Sequence, residues 1–169
     1  MARARQMFVT TALLLAGSGF ALSACGDDDF TTAFDGTCEL DIDVVDSQEG
    51  DPAGSTRLSV VSLCNYEGSG FGILAGDSDQ LISAPDGSGN VTITGTTVYT
   101  DEDGDQLAAE FNGTGNVAGG IITFSGEEDY DDGSGVFDGA TGSADIEGTM
   151  NPGEGTGSYT SDGSINLFD

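Results

Sequence analysis

The side chains that could do chemistry in this chain are almost all carboxylates. Thirty Asp and Glu stand against three Arg, with no Lys and no His, for a formal net charge of −27. Without histidine there is no Ser–His or Cys–His pair to activate a nucleophile. Without lysine there is neither a Schiff base nor a Ser–Lys dyad. Carboxylate acid–base chemistry survives, provided a dry site raises the pKa of one acid. No acid stands out for that role: Glu110, Asp145 and Glu147 alternate with apolar neighbours and are expected in solvent. The inventory therefore leans against an enzyme and nominates no catalytic residue and no cofactor.

Two acidic runs invite a calcium reading, Asp101-Glu102-Asp103-Gly104-Asp105 and Glu127-Glu128-Asp129-Tyr130-Asp131-Asp132-Gly133. Calcium favours clustered carboxylates in flexible loops, but the first run has glycine at its fourth position instead of the sixth. It also has Asn112 where a bidentate Glu belongs, and the second run has no metal-ligand spacing. Both are read as solvated hairpin turns, with no metal ligand assigned.

The remaining reactive groups are three cysteines, Cys25, Cys38 and Cys64. Cys25 closes a leader in which Arg3 and Arg5 precede an apolar run, Met7 to Leu22, followed by small residues Ser23 and Ala24. That run is short for a spanning helix and ends at a processing site. Leu22-Ser23-Ala24-Cys25 resembles the lipobox of bacterial lipoprotein signal peptides. The resemblance implies cleavage before Cys25 and acylation of its sulfur and new amine. Two or three acyl chains make a durable anchor where one does not. It also implies a cell-envelope address, and Gly26 after the cysteine favours the outer membrane in a didermic bacterium.

Beyond residue 24, thirty acids face the single base Arg57. Such a field repels phosphate backbones and anionic headgroups, which disfavours nucleic acid and direct membrane-surface binding. Solubility of a surface protein and adaptation to a salty habitat account for the acidity equally well.

Charge and 28 glycines suggest disorder, but the hydrophobic pattern does not. Cys38, Leu40, Ile42 and Val44 alternate with acids; Leu58, Val60, Ser62 and Cys64 form a second series, and Leu107, Ala109 and Phe111 another. A period of two gives one apolar and one wet face. Strands are expected at 37–45, 56–65, 70–83, 89–100, 105–114, 118–128, 142–150 and 157–168. Eight strands on short connections predict an all-β domain, a single eight-stranded antiparallel barrel that abolishes exposed edges. The expected organisation is a signal peptide at 1–24, a lipidated acidic tether at 25–33 and the barrel at 34–169.

If 37–45 and 56–65 form a hairpin about Asp51, Cys38 faces Cys64, Leu40 faces Ser62, Ile42 faces Val60 and Val44 faces Leu58. Hydrophobic pattern and cysteine spacing then select one register, and a Cys38–Cys64 disulfide suits an oxidising compartment. Two buried free thiols are the alternative.

Past residue 89, Gly104-Asp105-Gln106-Leu107 opens a strand, Ile121 to Gly126 follows, and then comes Gly133-Ser134-Gly135-Val136-Phe137-Asp138-Gly139-Ala140-Thr141-Gly142. This order resembles the barrel shared by allene oxide cyclases and dirigent proteins. The likeness covers about half the chain, with Phe137, Gly139, Ala140, Thr141 and Gly142 its most specific part. Ser134 and Val136 depart from the usual threonine and basic residue. The resemblance implies an eight-stranded barrel with a lumen, and Phe137 covering one end through bends at Gly139 and Gly142. No active-site residue of that family is recognisable here. Three functions follow: a non-catalytic envelope lipoprotein binding a small hydrophobic ligand or an envelope protein, a cyclase-like isomerase on a hydrophobic substrate, and a calcium-dependent adhesion module.

Overall fold

A computed structural model describes residues 30–67 and 72–167 of the chain. The leader, Cys25 and residues 26–29 of the expected tether lie outside the described residues. Eight strands run β1 (Phe30–Val45), β2 (Thr56–Glu67), β3 (Gly72–Ile82), β4 (Asn90–Thr100), β5 (Gln106–Ala118), β6 (Ile121–Gly133), β7 (Thr141–Asn151) and β8 (Thr156–Leu167). Each pairs antiparallel with the next, and β1 pairs with both β2 and β8, which closes the barrel. Closure gives every strand a partner on both sides along most of its length, so the sheet has no edge strand.

The β1–β2 register is the one the hydrophobic pattern selects: Cys38 faces Cys64, Leu40 faces Ser62, and Ile42 faces Val60. Cys38 and Cys64 are joined by a disulfide. Val44 does pair with Leu58 but is exposed. Its strand overhangs, since β1 loses β8 after the Asp41–Thr156 pair, so nothing covers Val44.

Two strand boundaries differ from the sequence expectation in a way that matters. β1 begins at Phe30, inside the expected tether, because Thr31 to Phe34 pair with Gly163 to Asn166 of β8. β6 continues to Gly133, straight through the second acidic run. That run is strand, not turn: Glu127, Glu128 and Asp129 pair with Asp145, Ala144 and Ser143 of β7. The first run is a hairpin turn as read. The Asp101 carboxylate accepts the amides of Asp103 and Asp105, each at 2.9 Å.

The interior is filled by large side chains set opposite glycines. A Cβ on Gly36 would lie 2.6 Å from the Tyr66 ring, and one on Gly76 would lie 3.0 Å from the Tyr99 ring. Gly113 and Gly126 leave room for the Phe111 ring, Gly148 for Tyr159 and Phe124. Eight-stranded barrels are only wide enough to be filled by side chains, and alternating large with small residues does it. Phe111 and Phe124 meet edge to face at 6.0 Å, Phe34 and Tyr66 at 5.2 Å, the offset geometry that aromatic quadrupoles favour.

Candidate functional site

Among the described residues, one acid sits within this packed lumen. Glu128 points inward from β6 on the face that also carries Ile122, Phe124 and Tyr130, and is only 3% exposed. All four tyrosines of the chain surround or approach it. Tyr99 on β4 reaches both carboxylate oxygens with its hydroxyl at 3.0 Å, and Tyr130, two residues along β6, reaches one at 3.2 Å. Tyr159 on β8 lies 2.8 Å from the Tyr99 oxygen, and the Tyr66 ring packs edge to face on Tyr99 at 6.3 Å.

The ionised carboxylate can only accept hydrogen bonds, so Tyr99 and Tyr130 donate to it. The Tyr99 oxygen then accepts from Tyr159, whose own oxygen lies 3.3 Å from the disulfide sulfur of Cys64. In the ionised state the hydrogen bonds run one way, toward Glu128. Beside this chain Ser78 and Thr97 bond one another at 2.8 Å, both buried.

Burial pushes the Glu128 carboxyl up to about 7, against the Tyr99, Tyr130 and Thr97 hydroxyls, which favour the charged form. Desolvation wins because no cation is at hand. Arg57 is the only base beyond the leader and is engaged elsewhere, with Asp51 at 2.5 Å and both Asp79 oxygens at 2.7 and 2.8 Å. Its guanidinium in turn holds the Asp51 carboxyl below the usual range. Burial raises the Tyr99, Tyr130 and Tyr159 hydroxyls well above the ordinary phenol value, and Glu128 raises them further. They are therefore donors and not phenolates at any neutral pH.

A carboxyl that titrates near neutrality is what general acid–base chemistry needs. Space is what it lacks. The cavity beside Glu128, bounded by Ser62, Ser78, Gln80, Thr97, Phe111 and Tyr159, measures about 20 Å³. That is room for roughly one water molecule. A second void toward the Phe34 end is about 10 Å³. Neither of these voids, lined by described residues, admits an organic substrate in this conformation.

The structure places the residues singled out in the sequence as follows. The Cys38–Cys64 bridge lies in the lumen wall, touching the Tyr159 hydroxyl. Phe137 and Ala140 are fully buried at one barrel end, Phe137 in a short helical turn, Gly135–Phe137, that packs on β5 and β6. Gly139 has the positive φ of +68° that the bend requires. Gly142 does not bend; it sits in β7 opposite Tyr130, where a Cβ would meet the Ser164 carbonyl at 2.2 Å. Thr141 is exposed at the start of the same strand. Glu110, Asp145 and Glu147 face solvent as expected. Glu128 was missed because its neighbours made it look like part of a solvated run. The signal was there: Ile122, Phe124, Gly126, Glu128 and Tyr130 keep a strict period of two.

Among the described residues, no three His, Cys, Asp or Glu side chains gather as a metal cage. The Asp105 carboxylate of the first run accepts the Val136 amide at 3.0 Å and so holds the Phe137 turn.

No family model matches the chain, and no curated protein matches it. Among solved structures, the chain is similar to a pterocarpan synthase dirigent protein, at 12% identity and a TM-score of 0.51. The match covers 86% of this chain and 94% of that one. At that identity the likeness is one of fold: the chain folds as a dirigent-like barrel, and function has to be argued from its own residues.

Proposed function

We propose that this protein is a lipid-anchored lipoprotein of the bacterial cell envelope, acylated on Cys25, whose barrel is a non-catalytic binding body that engages its partner from outside. One observation carries the second half: among the described residues the voids inside the barrel measure about 20 Å³ beside Glu128 and about 10 Å³ toward Phe34, enough for a water and too little for a hydrophobic ligand. Recognition is thereby left to the outer wall. The first half rests on the leader, with its basic start, apolar run and Leu22-Ser23-Ala24-Cys25. The glycine at position 26 directs the reading to the outer membrane of a didermic cell. Mass spectrometry of the membrane fraction tests the anchor. The expected N-terminal peptide begins at an acylated Cys25; an unmodified peptide beginning at Ala24 rejects it.

A second reading is favoured by Glu128 alone. A carboxyl buried among tyrosines and titrating near 7 could donate a proton in a cyclase-like isomerisation, if the lumen opened to a hydrophobic substrate. Soaking the protein with hydrophobic ligands and measuring lumen occupancy by crystallography decides between the two. A ligand seated against Glu128 would favour the isomerase. The calcium reading has little left to stand on. The carboxylates of Asp101 and Asp105 are bonded to backbone amides of their own and a neighbouring turn. Calorimetry with millimolar calcium should give no binding heat.

A further inference from the structure

The outer wall is not uniform. Over β6, β7 and β8 it carries mostly Thr, Ser, Asn and acids, with the single large apolar exception of Ile121 at the start of β6. Over β2, β3 and β4 it turns apolar: Val61 is 53% exposed, Leu63 57%, Ile73 59% and Val98 42%. The register makes these neighbours. Leu63 faces Ala75, which lies two residues from Ile73 on the same face of β3. Val61 and Val98 both face Asp77, from either side of β3. Four half-exposed aliphatic side chains thus form one patch across three adjoining strands, where scattered single ones would need no explanation.

The rim of that patch is acidic. Glu39 faces Leu63 and Asp41 faces Val61 from β1, while Asp77 sits inside it. Arg57, on the same strand as Val61, is neutralised by Asp51 and Asp79. This charge decides the occupant. A second copy would set the same carboxylates against one another around a shared apolar centre, in a chain of net charge −27. An anionic lipid surface meets the same repulsion.

We infer that Val61, Leu63, Ile73 and Val98 form a docking surface for a protein segment with an apolar stripe flanked by lysine or arginine. This rests on the reading of the barrel as a binding body engaged from outside, and names the wall and the partner's chemistry. The apolar stripe would cover the aliphatic side chains, and the flanking cations would meet Glu39, Asp41 and Asp77. Steering by the acidic field would speed the encounter and make it sensitive to salt.

The test uses the full-length chain and synthetic peptides in calorimetry. One peptide alternates valine with lysine, and a control alternates serine with lysine. The variants are Leu63→Thr with Ile73→Thr, which place strand-compatible β-branched side chains on an exposed strand face, and Asp77→Asn. The valine–lysine peptide should bind the wild type and lose about tenfold in affinity on the double variant, in keeping with the apolar area removed. Asp77→Asn should cost about threefold and flatten the salt dependence. Circular dichroism and an intact disulfide confirm that each variant is folded. Equal affinity for wild type and double variant overturns this surface while leaving a binding body that uses another wall. Equal affinity of both peptides for the wild type also overturns it, because charge alone is then sufficient. So does a wild-type dimer that the double variant dissolves, or adsorption to phosphatidylcholine vesicles that the double variant abolishes.

Discussion

Glu127 and Glu128 are adjacent in sequence, identical in type and opposite in fate. Glu127 stands on the outer wall of β6, facing Asp145 of β7, which in turn faces Asp162 of β8, and that residue faces Asp35 of β1. Four carboxylates therefore sit in one cross-strand row, exposed to solvent, where water and salt screen their repulsion. Glu128 has no such shield. It lies buried among tyrosine hydroxyls in the packed lumen, and desolvation governs its protonation. The two walls of one strand thus treat the same side chain by different physics. Outside, charges are cheap and individually weak. Inside, a single charge is costly and its partners are fixed.

The contrast can be broken from the inside first. Replacing Cys38 and Cys64 by serine should lower stability by between about 3 and 4 kcal/mol, mainly by freeing the unfolded chain, as denaturant midpoints would show. If the loss is under about 1 kcal/mol, the inner wall does not depend on the bridge.

Glu128 comes next. Its folded value of about 7 lies above its ordinary 4.5, so the native state binds the proton more tightly than the unfolded chain. Its contribution is complete below about pH 4.5 and is lost as pH rises through about 7. The loss is about 3 kcal/mol. Repulsion among the outer acids has the same sign, so the informative quantity is the difference from Glu128→Gln. That variant should flatten the melting temperature between pH 5 and 8. An unchanged pH profile would show that Glu128 remains hydrated.

The glycine sockets offer a smaller effect. Gly36→Ala sets a methyl 2.3 Å from the Ser161 hydroxyl and 2.6 Å from the Tyr66 ring, and should cost about 2 kcal/mol through overpacking. Gly87→Ala meets nothing within 4 Å and should be neutral or stabilising by about 0.5 kcal/mol. Equal effects at the two positions would refute the large-against-small packing of the lumen.

The outer wall should respond least. Asp145→Asn relieves two like-charge pairs, with Glu127 and Asp162, and should stabilise by about 0.5 kcal/mol at low salt. The gain should vanish in concentrated salt, since exposed charges are screened. A gain that survives high salt would mean that this row is not solvated.

Much of this molecule is legible in its amino-acid sequence. A period of two is local and unambiguous, so the all-β class, the eight strands and the Cys38–Cys64 register could be read from residue spacing. The glycines were harder, because a turn glycine and a socket glycine look alike in sequence. Gly139 was rightly placed at a bend, but Gly142 and Gly36 are defined by the groups they face across the sheet. Glu128 was harder still. Runs of acids are usually solvated, and its local company argued for a turn although its parity with Phe124 and Tyr130 argued for the lumen.

The chain by itself determined which groups could react, since side-chain chemistry is intrinsic: no imidazole, no lysine amine, many carboxylates and, beyond Cys25, one cysteine pair. It also determined the alternation that makes two-faced strands. Only the closed barrel decided which carboxylate loses its water and how little space remains beside it. Only the barrel gathered Val61, Leu63, Ile73 and Val98 into one surface. Desolvation, cavity volume and patch continuity are properties of residues distant in sequence and adjacent in space, and no local pattern encodes them.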